Sequence, residues 1–211
     1  AARAVEPGPG AAQPRLRARR GARSGRAPAR RRAPLAGEVE IEIEATGLNF
    51  MNVLSALGSY PGYENGVGPL GIECAGRIAA VGEGVTGLAV GASVMAIAFD
   101  CLGSHVIADA RLVRIRPPEL TAAEACALPI VFATAHHALI ELGRLRRGER
   151  VLIHAAAGGV GLAAVQIAKS VGADIYATAG TPEKRAMLDA LGVAKVMDSR
   201  SLAFRDELMA A

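Results

Sequence analysis

The chain has no tryptophan, three cysteines, four histidines and only 3% aromatic residues in 211 positions. Cys74, Cys101 and Cys126 lie too far apart for a C-x-x-C zinc or redox pattern. Their odd number argues against a secreted disulfide framework and points to a reducing cytoplasm. No run of 18 apolar residues exists; the richest stretch, 125–140, is cut by Pro129, His136 and His137, which reads against a membrane span. Acidic residues are nearly missing from the first 36 positions, where ten arginines face one acid, Glu6. The overall charge of +4 is therefore a head of +9 on a body of −5, and the body does not describe a basic, nucleic-acid-binding protein.

The head also holds five of the eleven prolines and lacks aromatics and apolar periodicity, so no folded element is assigned to 1–36. It has neither the apolar core of a signal peptide nor the serines and amphipathic helix of a transit peptide. It reads as a disordered leader, a linker or a mistranslated stretch, with an arginine-rich nucleic-acid arm as the alternative. The remainder, 51% hydrophobic over the whole chain, has enough apolar residues for a core. Its length exceeds one typical domain and falls short of two.

From Gly37 onward the pattern becomes regular. EVEIEIEAT alternates Val39, Ile41, Ile43 and Ala45 with Glu38, Glu40, Glu42 and Glu44, predicting a half-buried strand with a solvated acidic face. The runs AGRIAAV, ASVMAIA, SHVIAD and ARLVRIR follow, separated by turns such as GEGVTGLAVG, and predict a compact β-barrel or sandwich. Between the first two strands, 49–68 has no strand character and is a candidate functional loop.

The segment ERVLIHAAAGGVGLAAVQIAKSVGA carries the strongest chemical signal. Val151, Leu152 and Ile153 read as a strand covered on both faces, with His154 a core histidine on it. Ala155, Ala156, Ala157, Gly158, Gly159 and Gly161 form the turn, and a helix without early charges begins at Val160. Such a turn lets backbone N–H groups and a helix N-terminus meet a pyrophosphate. DIYATAG predicts a second strand and TPEKRAMLDALG a second helix, with Thr181 as N-cap, Pro182 at its start and Gly192 at its stop. AKVMDS and SLAFRDELMAA predict a third pair, so the 148–211 region reads as a parallel, doubly wound sheet. An NAD site would place an acid about 20 residues past the glycines. Here Thr178, Ala179, Gly180 and Thr181 stand there, with Lys184 one turn on, which favours NADPH.

These segments resemble the zinc-free, quinone-oxidoreductase-like branch of the medium-chain dehydrogenase/reductase superfamily. Within it they are most like the enoyl reductase domain of type I polyketide and fatty acid synthases. The resemblance covers about 37–211 and is carried by GLNFMNVLSALGSYPG, GPLGIECAGRIAAVGEGVTGLAVGASV, GSHVIADARLV, LPIVFATAHHAL, GERVLIHAAAGGVGLAAVQIAK and DSRSLAF. It implies an α/β protein: a GroES-like β-rich lobe (37–125), a linking helix region (126–147), and a partial doubly wound, Rossmann parallel sheet (148–211). Gly71-Ile72-Glu73 stands where zinc-dependent relatives have G-H-E, so no metal is expected. His136 and His137 diverge by about 100° on a helix and cannot chelate together.

The resemblance further implies NADPH-dependent reduction of an enoyl thioester held on an acyl carrier, beside neighbouring synthase domains, with a homodimer left open. By it Asn49 and Phe50 line the nicotinamide cleft and Thr134 approaches the cofactor. Ala157, Gly158, Gly159, Val160 and Gly161 cradle the pyrophosphate, Gly180, Thr181 and Lys184 take the 2′-phosphate, and Ser199 and Arg200 lie near the adenosine. Tyr60 matches a proposed α-carbon proton donor, with a structural loop tyrosine as the equal alternative. Asn49-Phe50-Met51-Asn52 departs from the family's N-F-R-D, and Thr134-Ala135-His136-His137 from its T-A-Y-Y. Three predicted Rossmann strands instead of six imply a fragment with weak or no turnover. The alternatives are a piece of a free-standing NADPH:quinone reductase and a non-catalytic dinucleotide-binding remnant.

Overall fold

A computed structural model of the chain describes residues 31–61 and 70–210. The head at 1–30 and the part of the candidate loop at 62–69 lie outside the described residues.

The first half is a five-stranded antiparallel sheet. Its strands are β1 (Glu38–Thr46), β2 (Glu73–Val81), β3 (Ser93–Ile97), β4 (His105–Asp109) and β5 (Val113–Ile115), in the order β4-β1-β2-β3-β5. The expected alternation holds for Val39 and Ile41, which are fully buried among Cys74, Ile78, Val94 and Val106. Glu40 departs from it: expected on the solvated face, it is buried. β1 lies between β2 and β4, and its register shifts between Glu40 and Ile41, which breaks the strict two-residue period. The candidate loop contains a short helix, α1 (Phe50–Ala56).

Two helices lead out of this lobe, α2 (Ala122–Ala125) and α3 (Pro129–His136), and α3 runs on into a wider π turn, His137–Leu142. By length and a mean hydropathy of 1.5, Ala122–Leu142 is sufficient to cross a membrane. Proline and histidine do not remove that property; the interruption at 126–128 does break the helix. Ala125 and Cys126 pack on Ala75 in the lobe, and Val131, Phe132 and Leu139 pack on the core of the second half.

That second half is a three-stranded parallel sheet, β6 (Arg150–Ile153), β7 (Asp174–Ala179) and β8 (Lys195–Asp198), in that spatial order. Helices α4 (Gly159–Val171), α5 (Pro182–Ala190) and α6 (Ala203–Met209) follow the strands in turn. The expected helix boundaries hold to within a residue at α4 and α5. Thr181 caps α5 by accepting from Lys184 N, and Gly192 takes a φ of +72° just past its end. Val151 and Leu152 are half-buried instead of fully covered because β6 is an edge strand. Arg32–Ala211 forms one compact unit. The described architecture is therefore a GroES-like antiparallel lobe followed by a short parallel sheet with helices.

Candidate functional site

Parallel strands in register bring their carboxyl ends to one edge. Ile153 pairs with Ala177, and Ala179 with Asp198, so the turns after β6, β7 and β8 open side by side. This is the edge at which open α/β sheets bind ligands. The turns are tied to one another by Ala156 N donating to Thr178 O at 3.0 Å and Ser199 N to Ala179 O at 3.2 Å. Between them lies a cleft of about 200 Å³. The first turn contributes Ala157 and Gly158, the second Gly180, Thr181 and Lys184, and the third Ser199 and Arg200.

The glycine turn is shaped by close backbone packing. A Cβ on Gly161 would lie 2.5 Å from Ala155 O and 2.6 Å from the Ala156 Cα, so only glycine lets α4 start against β6. Ala155 itself sits in the left-handed region at φ +49°, a strained conformation for a residue with a side chain. Gly158 is the N-cap of α4 and no acid stands in that helix's first turn, which leaves its free N–H groups and positive end for an anion. On the third turn, Asp198 Oδ1 accepts from Arg200 N at 2.8 Å while Oδ2 lies 3.4 Å from Arg185 Nη1. The Arg200 side chain covers Gly180, whose Cβ would come within 2.8 Å of Nε. The acid at the end of β8 is thus engaged by Arg185, and Lys184 and Arg200 remain to give the cleft a positive wall.

Two family models match the chain: the alcohol dehydrogenase GroES-like domain over 35–115 and the zinc-binding dehydrogenase domain over 159–211. Their order follows that of the antiparallel lobe and the parallel half, the second match beginning at α4, after β6. The chain is 47% identical over 180 residues to a component of the phenolphthiocerol/phthiocerol polyketide synthase of Mycobacterium tuberculosis, covering 85% of this chain and 8% of that protein. Among solved structures it matches the CurK enoyl reductase with 46% identity and a TM-score of 0.82, over 87% of this chain and 58% of that one. The chain belongs to the medium-chain dehydrogenase/reductase superfamily, on its polyketide synthase enoyl reductase branch. It also matches the quinone oxidoreductase of Escherichia coli, solved with NADPH, with 29% identity and a TM-score of 0.74, over 87% of this chain and 58% of that one. The chain thus spans less than a tenth of that synthase and somewhat over half of the solved reductases.

In this reductase-like chain the lobe side of the site is organised by a carboxylate, Glu73, that is 2% exposed. Its Oε1 accepts from Asn49 Nδ2 at 2.7 Å and its Oε2 from Ile130 N, at the start of α3, at 2.9 Å. Gly47 passes so close that a Cβ there would lie 2.4 Å from Cys126 O and 2.6 Å from the Glu73 side chain. Phe50 is 74% exposed on α1, Thr134 is exposed on α3, and Tyr60 is half-buried beyond α1. Phe50, Thr134 and Tyr60 lie outside the carboxyl-edge cleft, whereas Gly159, Val160 and Gly161 open α4 directly beside it. Asn52, where the family has an acid, accepts from Asn49 N at 2.8 Å, while its Nδ2 and the neighbouring Ser55 Oγ are buried without partners.

The zinc that gives the second of these families its name does not fit the residues here. Zinc takes thiolate, imidazole or carboxylate donors in a tetrahedron. Glu73 is consumed by Asn49 and Ile130, Ile72 supplies no donor, and among the described residues no three His, Cys, Asp or Glu side chains gather around one point. The cysteines are nevertheless less scattered than their spacing suggests. The Cys74 and Cys101 thiols hydrogen-bond to each other, and that bond together with burial raises Cys101 far above an ordinary thiol. Burial, then the charge of Glu73, pushes Cys126 up as well. The Cys101 and Cys126 thiols are thereby kept protonated, while the same hydrogen bond lowers Cys74.

The sequence places His154 within a covered strand, and the structure corrects this. His154 follows β6, is exposed, and has Nδ1 3.0 Å from Thr178 Oγ1 with its ring edge-on to Phe204 at 5.2 Å. Its rim position follows from β6 ending at Ile153. His136 and His137 are likewise exposed, with His136 Nδ1 4.0 Å from Glu141 Oε1. Glu73, Arg185 and Asp198 are paired side chains beside the candidate site that the sequence does not single out. For Glu73 a signal exists, a glutamate standing directly beside the Ile72 substitution; for the other two there is none.

Proposed function

We propose that the chain is the NADPH-binding and lobe portion of a polyketide synthase enoyl reductase domain acting on an α,β-enoyl thioester of an acyl carrier. The observation that carries the cofactor half of this reading is the carboxyl-edge cleft. It combines a glycine turn at the N-terminus of α4, no acid among the residues lining it, and two cations, Lys184 and Arg200, on its wall. A cleft with these properties suits a pyrophosphate and a 2′-phosphate. The thioester half draws on the likeness to the mycobacterial polyketide synthase and the CurK enoyl reductase.

When bound, NADPH supplies a hydride for the β-carbon of the enoyl group. The N–H groups of Gly159, Val160 and Gly161 hold the pyrophosphate, and Gly180, Thr181, Lys184, Ser199 and Arg200 hold the phosphorylated ribose. Asn49, Phe50 and Thr134, presented by the lobe and by α3, orient the nicotinamide and exclude water, and Tyr60 provides an α-carbon proton. Neighbouring synthase domains deliver the substrate.

NADPH titration followed by fluorescence, then loss of NADPH absorbance with a crotonyl thioester, tests the reading. Saturable binding is expected, with weak thioester-dependent oxidation. Oxidation with quinones and not with thioesters would replace this reading by the quinone reductase one, which the likeness to the E. coli quinone oxidoreductase favours. Absence of NADPH binding would leave a non-catalytic remnant.

A further inference from the structure

A carboxylate in an apolar interior is costly unless its oxygens are met by donors. Glu73 has no cationic partner among the described residues, and it is held by two donors from separate parts of the chain: the Asn49 side chain before α1 and the Ile130 backbone N–H on α3. A carboxylate is acceptor-only, so each of its two oxygens can receive one of these donors at once. It also sits at the positive end of α3, where a negative charge is favoured. The contact continues beyond it. Val131, next to Ile130, packs so closely on the glycine turn that a Cβ on Gly159 would lie 3.3 Å from its Cγ1. One carboxylate therefore connects Asn49, the start of α3 and, through Val131, the cofactor turn.

We propose that Glu73 is a positioning residue: it locks the Asn49 loop to α3 and so fixes the lobe side of the reductase cleft relative to the glycine turn. This rests on the enoyl reductase reading above. Glu73 is placed away from the reacting atoms and acts through Asn49 and Ile130, joining the two elements at 2.7 and 2.9 Å.

The test exchanges donor and acceptor. Asn49→Asp sets a second carboxylate against Glu73, and Glu73→Gln removes one acceptor. The double variant restores a complementary pair, in which the new glutamine amide donates to the new aspartate and its carbonyl accepts from Ile130 N. Folding by circular dichroism, thermal midpoint, hydrogen exchange at the Ile130 amide, and kcat and KM with NADPH and crotonyl thioester are measured for all four proteins. Asn49→Asp is expected to lower kcat roughly tenfold or more, lower the midpoint and deprotect the Ile130 amide. Its NADPH KM stays within about threefold, because the phosphates bind elsewhere. Adding Glu73→Gln should recover midpoint and protection together and raise kcat above the Asn49→Asp value, a gain that generic destabilisation does not produce. Losses that merely add in a folded double variant overturn the lock while leaving the reductase reading intact. Recovery of midpoint and protection without turnover in any protein, wild type included, overturns the reductase reading and with it the catalytic consequence of the lock.

Discussion

The two halves of the chain build their parts of the site in opposite ways. In the parallel half, three consecutive turns supply the cleft, each directly following its own strand, and backbone groups shape most of it. Where the antiparallel lobe meets α3, Asn49, Glu73 and Ile130 come from positions far apart in the chain and meet on the Glu73 side chain. A local, backbone-made site is sensitive above all to glycine geometry. A long-range, side-chain-made site is sensitive to single donors and acceptors.

The largest expected effect is at the glycines, and it should appear in both halves. Gly161→Ala places a Cβ against backbone at 2.5 Å, and overpacking of this kind costs about 1–3 kcal/mol. Urea denaturation should show that loss together with loss of NADPH fluorescence enhancement. Gly47→Ala, with a Cβ 2.4 Å from Cys126 O, should destabilise comparably yet leave NADPH affinity of the folded fraction unchanged. Equal effects of the two on cofactor binding would erase the contrast between the halves.

Next in size is Lys184→Ala. Its loss from the cleft wall should weaken NADPH roughly tenfold at low salt, with NADH affinity unaltered, as read by titration of both cofactors. Smaller still is Ala155→Gly, which relieves a left-handed alanine at φ +49° and should stabilise the fold by at most about 1 kcal/mol in denaturant melts.

The smallest effect concerns pH and belongs to the lobe alone. Hydrogen bonds from Arg32, then from Leu35 N, hold the Glu38 carboxyl at about 2, below its ordinary 4.5. The Arg111 side chain and backbone hold Asp109 at about 2, below 3.8. Because both values are lowered, their contribution is fully present above the ordinary values and is lost as pH falls from 4.5 toward about 2. Both pairs are solvent-exposed, so an acid titration of the thermal midpoint should show a shallow decline that added salt flattens. A decline beginning near neutral pH would point to other groups.

Legibility in the sequence follows the same division. The α5 segment can be read residue by residue, with Thr181, Pro182 and Gly192 where cap, first turn and stop require them, because capping is local chemistry. The cleft residues from Ala157 to Arg200 are readable because consecutive strand–turn–helix units place their turns at one edge. Burial of Glu40 is not readable, because a bulge beside it interrupts the alternation and a bulge is set by the partner strand. Arg185 and Asp198 are hidden because their pairing depends on the β7–β8 register. The position of Glu73 beside Ile72 is a signal, but its partners, like the pairing of the Cys74 and Cys101 thiols, are hidden because these contacts join distant segments.

The strand order of the lobe also bears on how the chain is made. Each strand of the parallel sheet pairs with the next one synthesised, so that half needs only short excursions of chain before its pairings close. β1 emerges first, yet one of its neighbours is β4, with Val39 opposite Ala108, and its second edge stays unpaired until the three strands after it have been made. Glu42 and Glu44, exposed on that same strand, put charge on the edge while it waits. Charged side chains on a waiting edge strand disfavour pairing with a wrong partner during folding.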